Sequence, residues 1–189
     1  MRLAICLLIA VSTAAISSLA TESSTDDRNA VADHLGQVNA WRLIPSTLLT
    51  RCIKEEPQQD SERRATLEAW SRTNEKLIAN IERIVDLAAS QFASEASLSP
   101  LEAKESINAA TRELINENYF QDKSISPAQV CSGYSNIVAG LSAPGKVATI
   151  RGHVYTVEWL LAAGQVSSGN HAQPYAPEGR SAGKPAPRP

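Results

Sequence analysis

Residues 61 to 93, SERRATLEAWSRTNEKLIANIERIVDLAASQFA, constrain this chain more than any other stretch, because they read as one long amphipathic helix. Leu67, Asn74, Ile81 and Ala88 fall on one line of such a helix. Trp70, Leu77, Ile84 and Gln91 fall on a second, with Ile78, Val85 and Phe92 beside it. That spacing makes a core-facing stripe. The opposite face carries Glu68, Arg72, Glu75, Lys76, Glu82, Arg83 and Asp86, a mixed-sign set suited to solvent. At about 1.5 Å per residue the helix would be roughly 50 Å long. A helix of that length must be the spine of a small domain, with shorter helices covering Trp70, Ile81 and Phe92.

The cysteines bear on what holds such a domain together. The first twenty residues, MRLAICLLIAVSTAAISSLA, combine Arg2, an apolar run through Val11, and small residues ending at Ser18-Leu19-Ala20. This is the layout of a signal peptide cleaved after Ala20. The alternative is a retained membrane anchor, but the apolar run falls short of the roughly 20 residues that a bilayer requires. Cleavage removes Cys6 and leaves Cys52 and Cys131 in an oxidising compartment, so a Cys52–Cys131 disulfide is expected. The alternative there is two separate buried thiols.

Residues 21 to 35, TESSTDDRNAVADHL, are polar and short of apolar periodicity, and are expected to be a flexible leader. A helical domain is expected over 36–163. Pro45-Ser46-Thr47 suits the first turn of its first helix. Leu48, Leu49, Cys52 and Ile53 form the inner face, and Pro57 with the following QQD stops the helix. Asp60 or Ser61 can cap the spine, which fades at Ser94 to Ser97. Ser99-Pro100-Leu101-Glu102 is a capping box with proline at the first helical position, and it opens a third helix with Leu101, Ile107, Ala110, Leu114 and Ile115 inward. Ser126-Pro127-Ala128-Gln129 repeats the box. It opens a fourth helix carrying Cys131, then Val130, Tyr134, Ile137, Val138 and Leu141 at helical spacing, and Gly140 and Pro144-Gly145 end it. Residues 147–163 fit a helix or a strand, and helix is favoured because a lone strand has nothing to pair with. Residues 164–189, rich in proline, glycine and serine, are expected to be a disordered tail. The fold class is therefore all-α: a bundle of four or five helices stapled by one disulfide.

Chemical motifs are scarce. Gly140-Leu-Ser-Ala-Pro-Gly145-Lys146 has the GxxxxGK spacing of a phosphate loop, but Val147 stands where magnesium needs Ser or Thr. A helix stop followed by a turn is the better reading. His34, His153 and His171 lie too far apart in sequence to suggest a metal site. Glu55 and Glu56, beside Pro57 at a helix end, read as solvated acids. Asn74 interrupts the apolar line and must find a partner, either a facing group that fixes helix register or, less simply, a ligand. No catalytic, cofactor-binding or metal site is expected. A net charge of −2 without a long basic run argues against nucleic acid. The expected function is non-catalytic binding of another protein in the periplasm or outside the cell, as an inhibitor or immunity-type protein does. The alternatives are a carrier of a small apolar ligand between helices and an enzyme whose site is assembled from distant residues. An exposed apolar patch would favour the binder, an apolar cavity the carrier, and a pocket with paired titratable groups the enzyme.

Overall fold

The computed structural model describes residues 23–121 and 125–167. The expected signal peptide, 1–20, lies outside them. Seven α-helices occur among the described residues, and no strand: α1 (Ser23–Glu55), α2 (Asp60–Thr73), α3 (Glu75–Ala96), α4 (Pro100–Phe120), α5 (Pro127–Ser132), α6 (Tyr134–Leu141) and α7 (Pro144–Ser167). A 3₁₀ turn, Pro57–Gln59, joins α1 to α2. The all-helical expectation holds, with helix throughout 147–163.

The leader expectation does not hold for the described residues. Helix begins at Ser23, and Val31 and Leu35 are buried. They extend a stripe that continues through Val38, Trp41, Leu48, Leu49 and Cys52, so the first helix starts far upstream of Pro45. Its upstream half is covered by α7, the element against which α1 packs most extensively. Pro45 is therefore interior to a helix rather than at its first turn. An interior proline lacks one backbone donor and disfavours helix by about 3 kcal/mol. Packing on both sides of it outweighs that cost. Pro45 is itself buried, and its carbonyl accepts from the buried Tyr134 hydroxyl at 3.2 Å.

The 61–93 spine is two helices. The chain bends at Asn74, whose φ of −109° and ψ of 12° leave the helical region for one residue. The turn-to-turn ladder nevertheless continues across the bend, with Asn74 N–H donating to the Trp70 carbonyl at 3.1 Å and Ile78 N–H to the Asn74 carbonyl at 2.9 Å. The Asn74 side chain donates to the Trp70 carbonyl at 2.9 Å and to the Ser142 hydroxyl at 3.2 Å. Asn74 is thus a structural residue that ties the bend to the α6–α7 junction. The start of α2 also differs from expectation. Gln59 precedes it without a side-chain cap, and Asp60 is instead the first helical residue, paired with Arg64 one turn on at 2.7 Å.

The two capping boxes form as read. Ser99 Oγ accepts from Glu102 N–H at 3.2 Å while Glu102 accepts from Ser99 N–H at 2.8 Å. Ser126 and Gln129 repeat the exchange at 3.2 and 2.8 Å. In α4 the inner face turns out to be Ala103, Thr111 and Ile115, while Leu101 and Ala110 are exposed. Ala103 meets Ala89 and Ala93, small residues that let α3 and α4 approach closely. The fourth helix bends at Gly133, between α5 and α6. Pro144 begins α7 rather than ending α6, again as a proline in a first turn, and α7 runs on through Ser167. The tail expected from 164 thus begins as helix, and its remainder, 168–189, lies outside the described residues.

The core centres on two tryptophans. Trp41 and Trp70 pack against each other with ring centroids 5.0 Å apart and the rings tilted by 51°. Trp41 Nε1 donates to the Leu141 carbonyl at 3.0 Å, which brings α6 onto α1. Ile81, Ile84, Val85 and Ala88 of α3 and Ile150, Val157 and Leu161 of α7 complete it.

Candidate functional site

Cys52 and Cys131, the one site expected from sequence, are brought together: their sulfurs lie 2.07 Å apart and their Cα atoms 5.2 Å apart. The bridge fastens the last turn of α1 to α5. Beside it lies a residue that sequence reasoning passed over. Arg63 is 2% exposed. It donates to the carbonyls of Cys52 (3.3 Å), Glu56 (3.1 Å) and Cys131 (3.0 Å), to the Gln59 amide oxygen (2.9 Å) and to the Glu56 carboxylate. One guanidinium thus satisfies carbonyls at the end of α1, where the helix leaves acceptors unpaired, and binds both chain segments joined by the disulfide. Glu56 is correspondingly a half-buried partner of a buried arginine rather than a solvated acid. The signal was present, since Arg63 lies four residues before Leu67 and seven before Trp70, on the core-facing line.

A second polar cluster is equally structural. Asn39, fully buried in α1, donates to the Asn108 amide oxygen at 3.2 Å and the Thr111 hydroxyl at 2.9 Å on α4. Its own oxygen accepts from Arg42 at 2.8 and 3.2 Å. Arg42 reaches Glu82 of α3 at 3.1 Å. Burial lowers the Arg42 pKa, and Glu82 opposes that shift. With every member partnered, the cluster fixes the register of three helices.

The histidines meet despite their sequence separation. His34 of α1 and His153 of α7 place their Nδ1 atoms 2.7 Å apart, so one ring donates and the other accepts. Burial, then the positive charges of His34 and Lys146, lower the His153 pKa from its ordinary 6.5. A lowered histidine pKa means that the contribution to stability is complete above about pH 6.5 and is lost as pH falls through the lowered value. In an NMR titration His153 should have a midpoint below 6.5 that rises in His34→Gln. A midpoint at or above 6.5 in the unmodified protein would contradict the pairing. His171 lies outside the described residues. Among the described residues no three His, Cys, Asp or Glu gather as a metal site would require.

The GxxxxGK spacing resolves into parts of two helices. Gly140 is in α6, Gly145 and Lys146 are in the first turn of α7, and only Ser142 and Ala143 separate the helices. This is the helix stop read from sequence, followed directly by a new helix.

A groove of about 630 Å³ lies between the end of α1 and α4, lined among others by Thr47, Arg51, Lys54, Arg112, Asn116 and Phe120. The Arg51 guanidinium sits 5.7 Å from the Phe120 ring centroid and pairs with Glu55 at 3.3 Å. Lys54 and Arg112 have no ion-pair partner among the described residues, and the buried Thr47 hydroxyl has no hydrogen-bond partner there. Its lining brings three cationic side chains, Arg51, Lys54 and Arg112, beside the Phe120 ring, and includes no carboxylate or histidine to act as a general base.

The remaining feature is the outer face of α7. Its inner face, Ile150, Val154, Val157 and Leu161, is buried, yet Tyr155 is 70% and Trp159 61% exposed, one turn apart. Ala148, Gly152 and Ala162 are exposed on the same side. Apart from Arg151, exposed one turn before Tyr155, this side is apolar, and large apolar groups left together in water mark a surface that is ordinarily covered. Sequence reasoning noted the buried line of α7 but not this second one, which was visible as aromatic and small residues at i, i+3 and i+4 spacing. No protein-family model, curated protein or solved structure matches the chain.

Proposed function

We propose that this chain is an exported helical protein that acts by binding another protein chain, without catalysis, and that the outer face of α7 is its docking surface. The observation that carries this reading is the exposure of Tyr155 and Trp159 side by side on a helix whose opposite face is already buried. Large exposed apolar patches mark interaction sites, and tyrosine and tryptophan supply much of the binding energy where chains meet. The groove between α1 and α4 is lined by no carboxylate or histidine from which an acid–base pair could be built. An inhibitor or immunity-type role fits a rigid helical face presented to a partner. Export is supported by the signal-like segment and by the bridged cysteines, which persist in oxidising compartments. No helix among the described residues is long and apolar enough to cross a membrane.

Photo-crosslinking in the exporting cell tests the surface. A benzoylphenylalanine placed at position 155 should give light-dependent covalent adducts with protein, and one at position 76, exposed on α3, should not. Equal adducts from both positions, or none from 155 in exported and disulfide-intact protein, would overturn the assignment.

A further inference from the structure

Resting on the reading of α7 as a docking surface, we infer that the chain it receives is a second copy of itself, packed helix against antiparallel helix across a two-fold axis. In such an interface the same surface serves both copies, so every protrusion must find a recess on its own face. The outer face of α7 has that arrangement. Its first half is small, with Gly145, Ala148 and Gly152, and its second half carries the large Tyr155 and Trp159. With the axis passing between positions 153 and 154, Gly152 lies opposite the Tyr155 of the second copy, Ala148 opposite its Trp159, and Gly145 opposite its Ala162. The rings of each copy then fill the recesses of the other.

The recesses are open in the single chain. A β-carbon added at Gly145 or Gly152 would meet nothing within 4 Å. Glycine inside a helix is about 1 kcal/mol less favourable than alanine, and nothing in the fold of one chain requires it at position 152. A neighbouring aromatic ring does. Along one border of the face two threonines spend their hydroxyls within the helix, Thr149 on the Gly145 carbonyl at 3.0 Å and Thr156 on the Gly152 carbonyl at 3.1 Å, and along the other border stands the exposed Arg151. Charges do not oppose the pairing. Arg151 falls opposite Thr156 of the second copy and Glu158 opposite Thr149, and Glu158 is already paired with Arg83 of α3.

Area sets the expected strength. Four aromatic side chains of about 150–250 Å² each, already partly covered, supply roughly 400–650 Å², and with the small residues between them one helix pair falls among the weak, transient interfaces, below about 1,200 Å² in total. The dimer is therefore a reversible one, with dissociation in the micromolar range.

Sedimentation equilibrium of the disulfide-intact chain, from about 1 to about 300 µM, reads this directly. The expected result is a shift from one chain mass to two across that range. A β-carbon at position 152 meets nothing in its own chain, so Gly152→Leu should fill the recess and leave the monomer folded, with a melting temperature unchanged or raised by the loss of a helical glycine, while weakening association about tenfold or more. Trp159→Ala should do the same. A chain that stays monomeric throughout, or a dimer indifferent to Gly152→Leu, would overturn the inference. The crosslink at position 155 separates this failure from that of the docking surface. Adducts of a mass other than twice the chain retain the surface and reject the second copy, whereas absence of both adduct and dimer rejects both.

Discussion

Replacing Cys52 and Cys131 together by alanine should lower the unfolding free energy by about 4 to 5 kcal/mol. The two cysteines are 79 residues apart, and the loop between them contains all of α2, α3 and α4. In the chain-entropy account, closing a loop of that length removes about 4.5 kcal/mol worth of freedom from the unfolded chain. The native arrangement at the bridge does not depend on the sulfurs alone, because Arg63 still holds the carbonyls of both residue 52 and residue 131. The loss should therefore act on the unfolded chain and leave the folded one recognisable. Against a typical total of about 5 to 15 kcal/mol, it is large. Urea unfolding of the two proteins measures it, and a difference below about 1 kcal/mol would contradict the account.

Trp70→Ala should cost about 3 to 5 kcal/mol, since it deletes a large side chain from the centre of the core and leaves Trp41 without the ring packed against it. Glu75→Ala, five residues on and exposed, should change stability by no more than about 0.5 kcal/mol. The indole nitrogen of Trp70 is buried without a hydrogen-bond partner among the described residues. Trp70→Phe, which removes that unpaired donor along with part of the ring, should accordingly cost less than Trp70→Ala. Equal losses at positions 70 and 75 in denaturant titrations would mean that the inward faces of α2 and α3 have been assigned wrongly.

What could be read from sequence was what neighbouring residues decide among themselves. The capping boxes at Ser99 and Ser126 are four-residue exchanges of hydrogen bonds, and both form. The stripe of α3 follows from spacing alone. The cysteine pairing followed from arithmetic once Cys6 was assigned to the signal segment. What escaped depends on partners distant in sequence. Val31 and Leu35 look sparse in a polar stretch until α7, more than a hundred residues later, is laid beside them. Pro45 looks like a helix start because local propensity puts it there, and only packing on both sides carries a helix through it. Asn74 was recognised as needing a partner, but its bend could not be foreseen without Ser142. His34 and His153 are joined across 119 positions, a relation that no local pattern records. Arg63 was hidden for a different reason. Its charge suggested solvent, although its place on the apolar line pointed inward.

Two tryptophans, Trp41 and Trp70, build the core, and on the proposed reading the third, Trp159, is left for a partner. Fluorine NMR of the chain labelled with 5-fluorotryptophan tests it in one spectrum. The account predicts that at low concentration the resonances of Trp41 and Trp70 are insensitive to replacing water by deuterated water while that of Trp159 shifts, and that raising the concentration moves or broadens Trp159 alone. A Trp159 resonance insensitive to solvent at every concentration, or a solvent shift at Trp70 equal to that at Trp159, would contradict it.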